Sequence, residues 1–242
     1  NDRWAVVGPA TGIDVIVHVG ANCLTEAAQL AAHAEKNQAK AVSMIAPSYF
    51  KPRTMADLVA SCAMVAKAAP RTPFYYYDIP GMTGIGGFPV DEFLQAASPL
   101  IPNLAGVKYS HPDLDAMRRA QALEGGRFDL PYGIDERFLS ALRAGATAGV
   151  GSTYNFNPGP LLRTIAAHGK GDDALAEAEQ AKVQPVVDIL AKRGYMGAAK
   201  ALMGHLGVPL GPARLPNGNP DAAETKKMIG ELEAIGFFSW NF

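Results

Sequence analysis

The sequence predicts an α/β fold built on a parallel sheet, and three observations carry that prediction. Short runs of branched and aromatic residues alternate with alanine-rich segments whose apolar residues recur at three- and four-residue spacing. Only brief polar breaks separate them, the layout of βα units in which helices cover a sheet. Of the 242 residues, 48% are hydrophobic, ample for a sizeable core.

In chain order, a helical stretch around Trp4 comes first. The expected strands are DVIVHVG (14–20), AVSMIAP (41–47), PFYYYDI (73–79), LAGVKYS (104–110), FDLPYGI (128–134) and AGVGSTYN (148–155). Between them lie LTEAAQLAAHAEKNQ, TMADLVASCAMVAKAA, VDEFLQAAS, LDAMRRAQALE and RFLSALRAGA, each opening near a cap or turn residue. After the sixth strand only helices follow. DDALAEAEQAKVQPVVDILAKRG carries Pro185, placed to bend or break it, and GAAKALMGHLG and DAAETKKMIGELEAIG flank the turn-rich GVPLGPARLPNGNPD (207–221). This predicts a barrel portion over 1–170 and a helical extension over 171–242. Six units fall short of the eight of a closed parallel barrel. The glycine-rich GMTGIGG (81–87) does not fit G-x-G-x-x-G, and no phosphate-binding G-x-x-x-x-G-K-[ST] occurs, so an open nucleotide-binding sheet is disfavoured. The pattern therefore reads as a (β/α)8 barrel with its first two units missing from this chain.

A formal charge of −1 and no basic run give no electrostatic reason to expect nucleic acid or an anionic membrane as partner. No apolar run approaches the ~20 residues of a membrane span. The start, NDRWAVVGPATG, lacks the basic-then-apolar layout of a signal peptide, so the expected location is cytoplasmic. Cys23 and Cys62 lie in apolar segments and read as reduced packing residues. His18, His33, His111, His168 and His205 show no short ligand spacing, so no metal is expected and the histidines read as ordinary polar or surface residues. No G-x-S-x-G elbow supports a serine hydrolase.

Lys108 interrupts the apolar strand LAGVKYS. Alternation puts it on one face with Leu104, Gly106 and Ser110, opposite Val107 and Tyr109. Read alone, it is either a lysine snorkelling from a strand end to solvent or, in an apolar barrel mouth that disfavours an ammonium, an amine able to attack a carbonyl. Tyr77 stands near the end of YYYDIPGMTG, where a phenol can pass a proton beside an imine; packing alone accounts for Tyr75 and Tyr76. Ser152 follows two glycines in GVGSTYN, either a tight strand end or a place of close ligand approach. Gly133, Asp135 and Glu136 occupy the YGIDE turn, where Asp135 can equally be a helix cap. A lysine, a tyrosine, hydroxyls and acids at consecutive strand ends suit a keto-acid and polyol substrate.

The runs FYYYDIPGMTG, GVKYS, YGIDE and AGVGSTYN, in this order and spacing, together with HVGA, APSYFKP and GPARLP, resemble the N-acetylneuraminate lyase family within the pyruvate-dependent aldolases that include dihydrodipicolinate synthase. The resemblance implies a (β/α)8 barrel with a C-terminal three-helix extension, a homotetramer, small-molecule substrates (sialic acid and pyruvate) and no cofactor. It implies that Lys108 forms the imine with the substrate keto carbon and that Tyr77 assists proton transfer, with Ser110 beside the lysine. Gly133, Asp135, Glu136 and Ser152 would hydrogen-bond the acyclic sugar chain, and Tyr49 would reach a neighbouring subunit's site edge. Dihydrodipicolinate synthases usually carry an arginine after Y-N-x-P; here stand Gly81, Met82, Thr83 and Gly84, which favours the lyase. A second pyruvate aldolase or synthase, and a non-catalytic sugar-acid-binding fragment, are the competing readings. The resemblance also implies two preceding units, the second with a G-T-T-G-E type loop for the pyruvate carboxylate. Residues 1–13 do not supply it, so the expectation is an incomplete copy, unstable or inactive alone.

Overall fold

Four parallel strands run in the order β1 (Ile16–His18), β2 (Ala41–Met44), β3 (Phe74–Asp78) and β4 (Leu104–Tyr109) in the computed structural model, which describes residues 3–240. Helices α1 (Arg3–Thr11), α2 (Leu24–Lys36), α3 (Met55–Ala66), α4 (Pro80–Thr83), α5 (Val90–Ala97) and α6 (Leu114–Gln121) are interspersed with them, so the predicted alternation holds. The chain divides into two compact units: residues through Gly133 with 144–148, and 134–143 with 149 onward. The expected boundary at 170/171 falls inside the second unit, between α8 (Pro158–Gly169) and α9 (Asp173–Gln180). There Leu139, Ala167 and Ala176 form one small buried cluster.

Alternation in the first unit turns Val42, Met44, Phe74, Tyr76, Val107 and Tyr109 toward the helices, where Leu58, Val65, Phe93, Leu94 and Met117 meet them, all buried. Each large side chain so buried contributes about 1.5–3 kcal/mol from lost apolar hydration. Tyr76 packs on Phe93 at 4.7 Å between ring centroids. The start of α3 is fixed by a capping box. Thr54 Oγ1 accepts from the Asp57 N–H, and the Asp57 carboxylate accepts from the Thr54 N–H, each at 3.1 Å.

The structure corrects the reading of β4. Phe74 pairs with Leu104 but Tyr75 pairs with Gly106, a register shift that leaves Ala105 as an extra residue. Leu104 therefore shares the face of Phe74 and Tyr76, and only Gly106, Lys108 and Ser110 remain on the lysine's side. The fifth expected strand is reduced to two single bridges, Asp129 to Gly106 and Tyr132 to Tyr109. Pro131, between them, has no N–H for a continuous ladder. The sixth, 148–155, is likewise not a continuous strand: the Tyr132 N–H donates to the Ala148 carbonyl at 2.9 Å, and Thr153–Asn155 form a 3-10 turn. Cys62 is buried as expected, whereas Cys23 is exposed at the start of α2, so only one of the two is a packing residue.

The second unit contains α7 (Phe138–Arg143), α8, α9, α10 (Val183–Ala191), α11 (Tyr195–His205) and α12 (Ala222–Ala234). The long predicted helix breaks at Ala181 and Lys182, and Pro185 sits in the first turn of α10, where its missing N–H costs no helical bond. Val186, Leu190, Leu202, Met228, Leu232 and Phe237 pack there as one core. The side chain of Arg193, 7% exposed, pairs with Glu231 at 2.6 Å and Glu224 at 3.1 Å, joining α10 to α12. Among the described residues, no helix is long and apolar enough to cross a membrane.

Candidate active site

Register pairing sets Tyr77 beside Lys108 at the carboxyl ends of β3 and β4, both half-buried. Lys108 Nζ lies 4.0 Å from the centroid of the Tyr77 ring, a cation–π arrangement that holds the amine at the phenol. One residue further on, Ser110 is buried, and its Oγ has no hydrogen-bond partner among the described residues. Its N–H donates to the Asp78 carbonyl at 2.8 Å, which fixes the end of β4 against β3. Gly133 completes this group. A Cβ there would stand 2.0 Å from Ser110 Oγ and 3.1 Å from Lys108 Cε, so a side chain at 133 would displace the hydroxyl. Lys108, Tyr77, Ser110 and Gly133, four residues picked from sequence, thus come together in the first unit.

One layer deeper on the same face, the Tyr75 hydroxyl donates to Asp129 Oδ2 at 3.1 Å, and burial followed by the Asp129 charge pushes its pKa up to about 12. Tyr75 is therefore a neutral strut rather than a packing residue only. His18, expected only as an ordinary polar or surface histidine, stands beside Tyr77 and Lys108. It ends β1, its ring stands 6.3 Å from Tyr77 in edge-on geometry, and its Nε2 accepts the Ile45 N–H at 3.2 Å. Desolvation, and after it the charge of Lys108, lower its pKa. Its ring, exposed as a surface histidine's is, stays a neutral imidazole beside the lysine. The signal was its place in HVGA, on the strand face that Tyr77 and Lys108 share.

The second unit holds Asp135, Glu136 and Ser152. Asp135 is 5% exposed and opens a 3-10 turn without capping it. Its Oδ2 instead accepts from the Thr153 N–H at 2.9 Å and the Thr153 hydroxyl at 2.6 Å, which stand in for ladder bonds in the expected sixth strand. Asp135 Oδ1 has no hydrogen-bond partner among the described residues. A Cβ on Gly151 would lie 1.5 Å from that oxygen, so glycine at 151 serves the carboxylate. Gln180 fastens the turn, donating to the Asp135 carbonyl at 3.0 Å and accepting the Leu139 N–H at 2.8 Å. Ser152, exposed, shares a 2.8 Å hydrogen bond with the Tyr195 hydroxyl, which burial raises to about 12. Tyr195 and Thr153 are polar partners that sequence reading did not name. Glu136 is half-buried in the same turn.

Tyr49 is 78% exposed and meets Phe50, 85% exposed, at 4.9 Å between rings. Their loop is held by Asn22 Oδ1, which accepts the Ser48 and Tyr49 N–H groups at 2.9 and 3.2 Å. The segment after Tyr77 folds as α4 and closes on Gly84 at φ +63°, the left-handed region that favours glycine. Among the described residues, no three His, Cys, Asp or Glu side chains are grouped to hold a metal ion.

Residues 5–235 match the dihydrodipicolinate synthetase family. N-acetylneuraminate lyase of Gallus gallus is 38% identical over 237 residues, covering 97% of this chain and 77% of that protein. The Homo sapiens N-acetylneuraminate lyase is 35% identical over 244 residues, with coverages of 99% and 75%. A solved structure of the Proteus mirabilis N-acetylneuraminate lyase superposes with a TM-score of 0.92 at 35% identity, covering 98% of this chain and 79% of that one.

Proposed function

Because the chain belongs to the dihydrodipicolinate synthetase family, with the α/β fold of that TIM-barrel superfamily, we propose that it is a Schiff-base lyase that cleaves N-acetylneuraminate to N-acetylmannosamine and pyruvate. The observation that carries the reading is Lys108 Nζ over the Tyr77 ring, beside a Ser110 hydroxyl with no partner among the described residues. The strand-helix units from β1 onward are read as consecutive units of an eight-stranded barrel.

In the ring-opened sugar acid, the Lys108 amine gives up a proton and adds to the keto carbon; that proton returns as water is lost, leaving a protonated imine. The bond between the carbons α and β to the imine then breaks, its electron pair flowing into the imine to form an enamine. The hydroxyl on the β carbon gives up its proton as it becomes the aldehyde of N-acetylmannosamine, and the Tyr77 phenol relays that proton. Protonation of the enamine carbon and hydrolysis of the imine release pyruvate and restore the amine. Neutral His18 flanks the phenol without adding a second positive charge beside Lys108. The hydrogen bonds to the sugar hydroxyls fall to Asp135, Glu136 and Ser152. Asp135 Oδ1, without a hydrogen-bond partner among the described residues, and the Ser152 hydroxyl offer the acceptors that a polyol chain needs. Exposed Tyr49, with Phe50, is assigned to the contact with a neighbouring subunit in a homotetramer.

Cleavage of N-acetylneuraminate should proceed, against the expectation of a copy inactive alone, and condensation of pyruvate with aspartate semialdehyde should not. The reverse result would move the chain to the synthase reading. Tyr77→Phe should lower turnover by roughly a hundredfold or more, since the relay is lost, yet still trap pyruvate on Lys108 with borohydride. A variant that loses both would make Tyr77 a structural support of the lysine instead.

A further inference from the structure

Asp78 ends β3 on the sheet face opposite Tyr77 and is 7% exposed. Its carboxyl makes no hydrogen bond or ion pair among the described residues, and burial alone pushes its pKa up to about 7. It opens on a cavity of about 140 Å³, lined also by Phe88, Tyr109, His111, Asp113 and Ala116.

The other polar groups around it are already engaged. The Tyr109 hydroxyl donates to the Asp113 carbonyl at 2.6 Å, and His111 Nδ1 accepts the Asp113 N–H at 3.0 Å. The Asp113 carboxylate caps α6 through the Asp115 and Ala116 N–H groups. Asp91 of α5 pairs with Arg119 of α6 at 2.6 Å. The Tyr76 phenol, neutral, has its own pKa raised by burial and by Asp78. Among the described residues no lysine or arginine lines the cavity, and of its two carboxylates only that of Asp113 has hydrogen-bond partners, so Asp78 has neither a counter-charge nor a donor.

We propose that this cavity binds a small primary ammonium compound, with the Asp78 carboxylate as counter-ion and the stacked Tyr109 and His111 rings, 5.7 Å apart, as its aromatic wall. A buried carboxyl without a partner keeps a proton in its place, and a desolvated cation is the partner that replaces it. Phe88, Ile85 and Val90 suit an alkyl tail rather than the all-oxygen shell of an alkali ion. The volume takes roughly four or five heavy atoms, the size of propylammonium.

Calorimetric titration of the chain with n-propylammonium chloride, in a sodium background of constant ionic strength, tests this. Saturable one-to-one binding is expected at pH 8. At pH 6 it should be about tenfold weaker, because a group titrating near 7 is mostly ionised at the higher pH and mostly protonated at the lower. Asp78→Asn should abolish it, and so should Ala116→Leu, which fills the cavity and keeps the carboxylate. Both variants should keep the wild-type circular dichroism. Absence of saturable binding at pH 8, binding unchanged in Asp78→Asn, or equal affinity for potassium would overturn the assignment.

Discussion

Replacing Lys108 with alanine is expected to lower N-acetylneuraminate cleavage by about ten-thousandfold or more, the scale on which loss of a covalent nucleophile acts. The geometry leaves no substitute. Within the first unit, the Tyr77 phenol and Ser110 hydroxyl beside Lys108 can relay or donate a proton, but neither forms an imine. Lys108→Arg should fall as far, because a guanidinium holds the positive charge over Tyr77 yet stays protonated and cannot add to a ketone. Steady-state cleavage assays of both variants check this. Residual activity in the arginine variant near the wild-type level would show that charge, not nucleophilicity, is what the position supplies.

Gly106→Ala carries the largest expected effect on stability. A Cβ there would stand 1.8 Å from the Asp129 carbonyl oxygen and 2.8 Å from its carbon, both backbone atoms. The two hydrogen bonds that tie this bridge, Val107 N–H to Asp129 O and Asp129 N–H to Ala105 O, are each 3.0 Å long, so either strand segment must move and break them. A loss of roughly 3 kcal/mol or more is expected, at the upper end of overpacking effects. Denaturant unfolding of the variant measures it, and an unchanged midpoint would show that the bridge yields cheaply. Gly133 differs, since its close neighbour is a serine hydroxyl that can rotate away.

The strands that carry the lysine and tyrosine were legible because alternation in FYYYD and GVKY is strong and turn residues bound them. Cap chemistry marked α3 and α6 in the same way, through Thr54 and Asp113. The Ala105 register shift was marked only by Gly106 inside LAGV, a strand glycine that fits a bulge or a close backbone approach equally, so the register itself was not legible. The failure at 148–155 had a physical cause that only contacts reveal. Gly149 and Gly151 read either as a tight strand end or as room for a ligand, but they make room for Tyr154 with Phe138 and for Asp135, respectively. The Ser152 to Tyr195 and Asp135 to Thr153 bonds join residues 43 and 18 positions apart, beyond any periodic signal. His18 was missed for a related reason: a lone histidine in a strand is ordinary until the register shows which face it shares.

Incubating the chain with pyruvate and borohydride, then locating the adduct by peptide mass analysis, tests the imine mechanism most directly. The account predicts one reduced pyruvyl group per chain, on the peptide containing Lys108, and none in Lys108→Ala. An adduct on another lysine, or one that persists in Lys108→Ala, would contradict it.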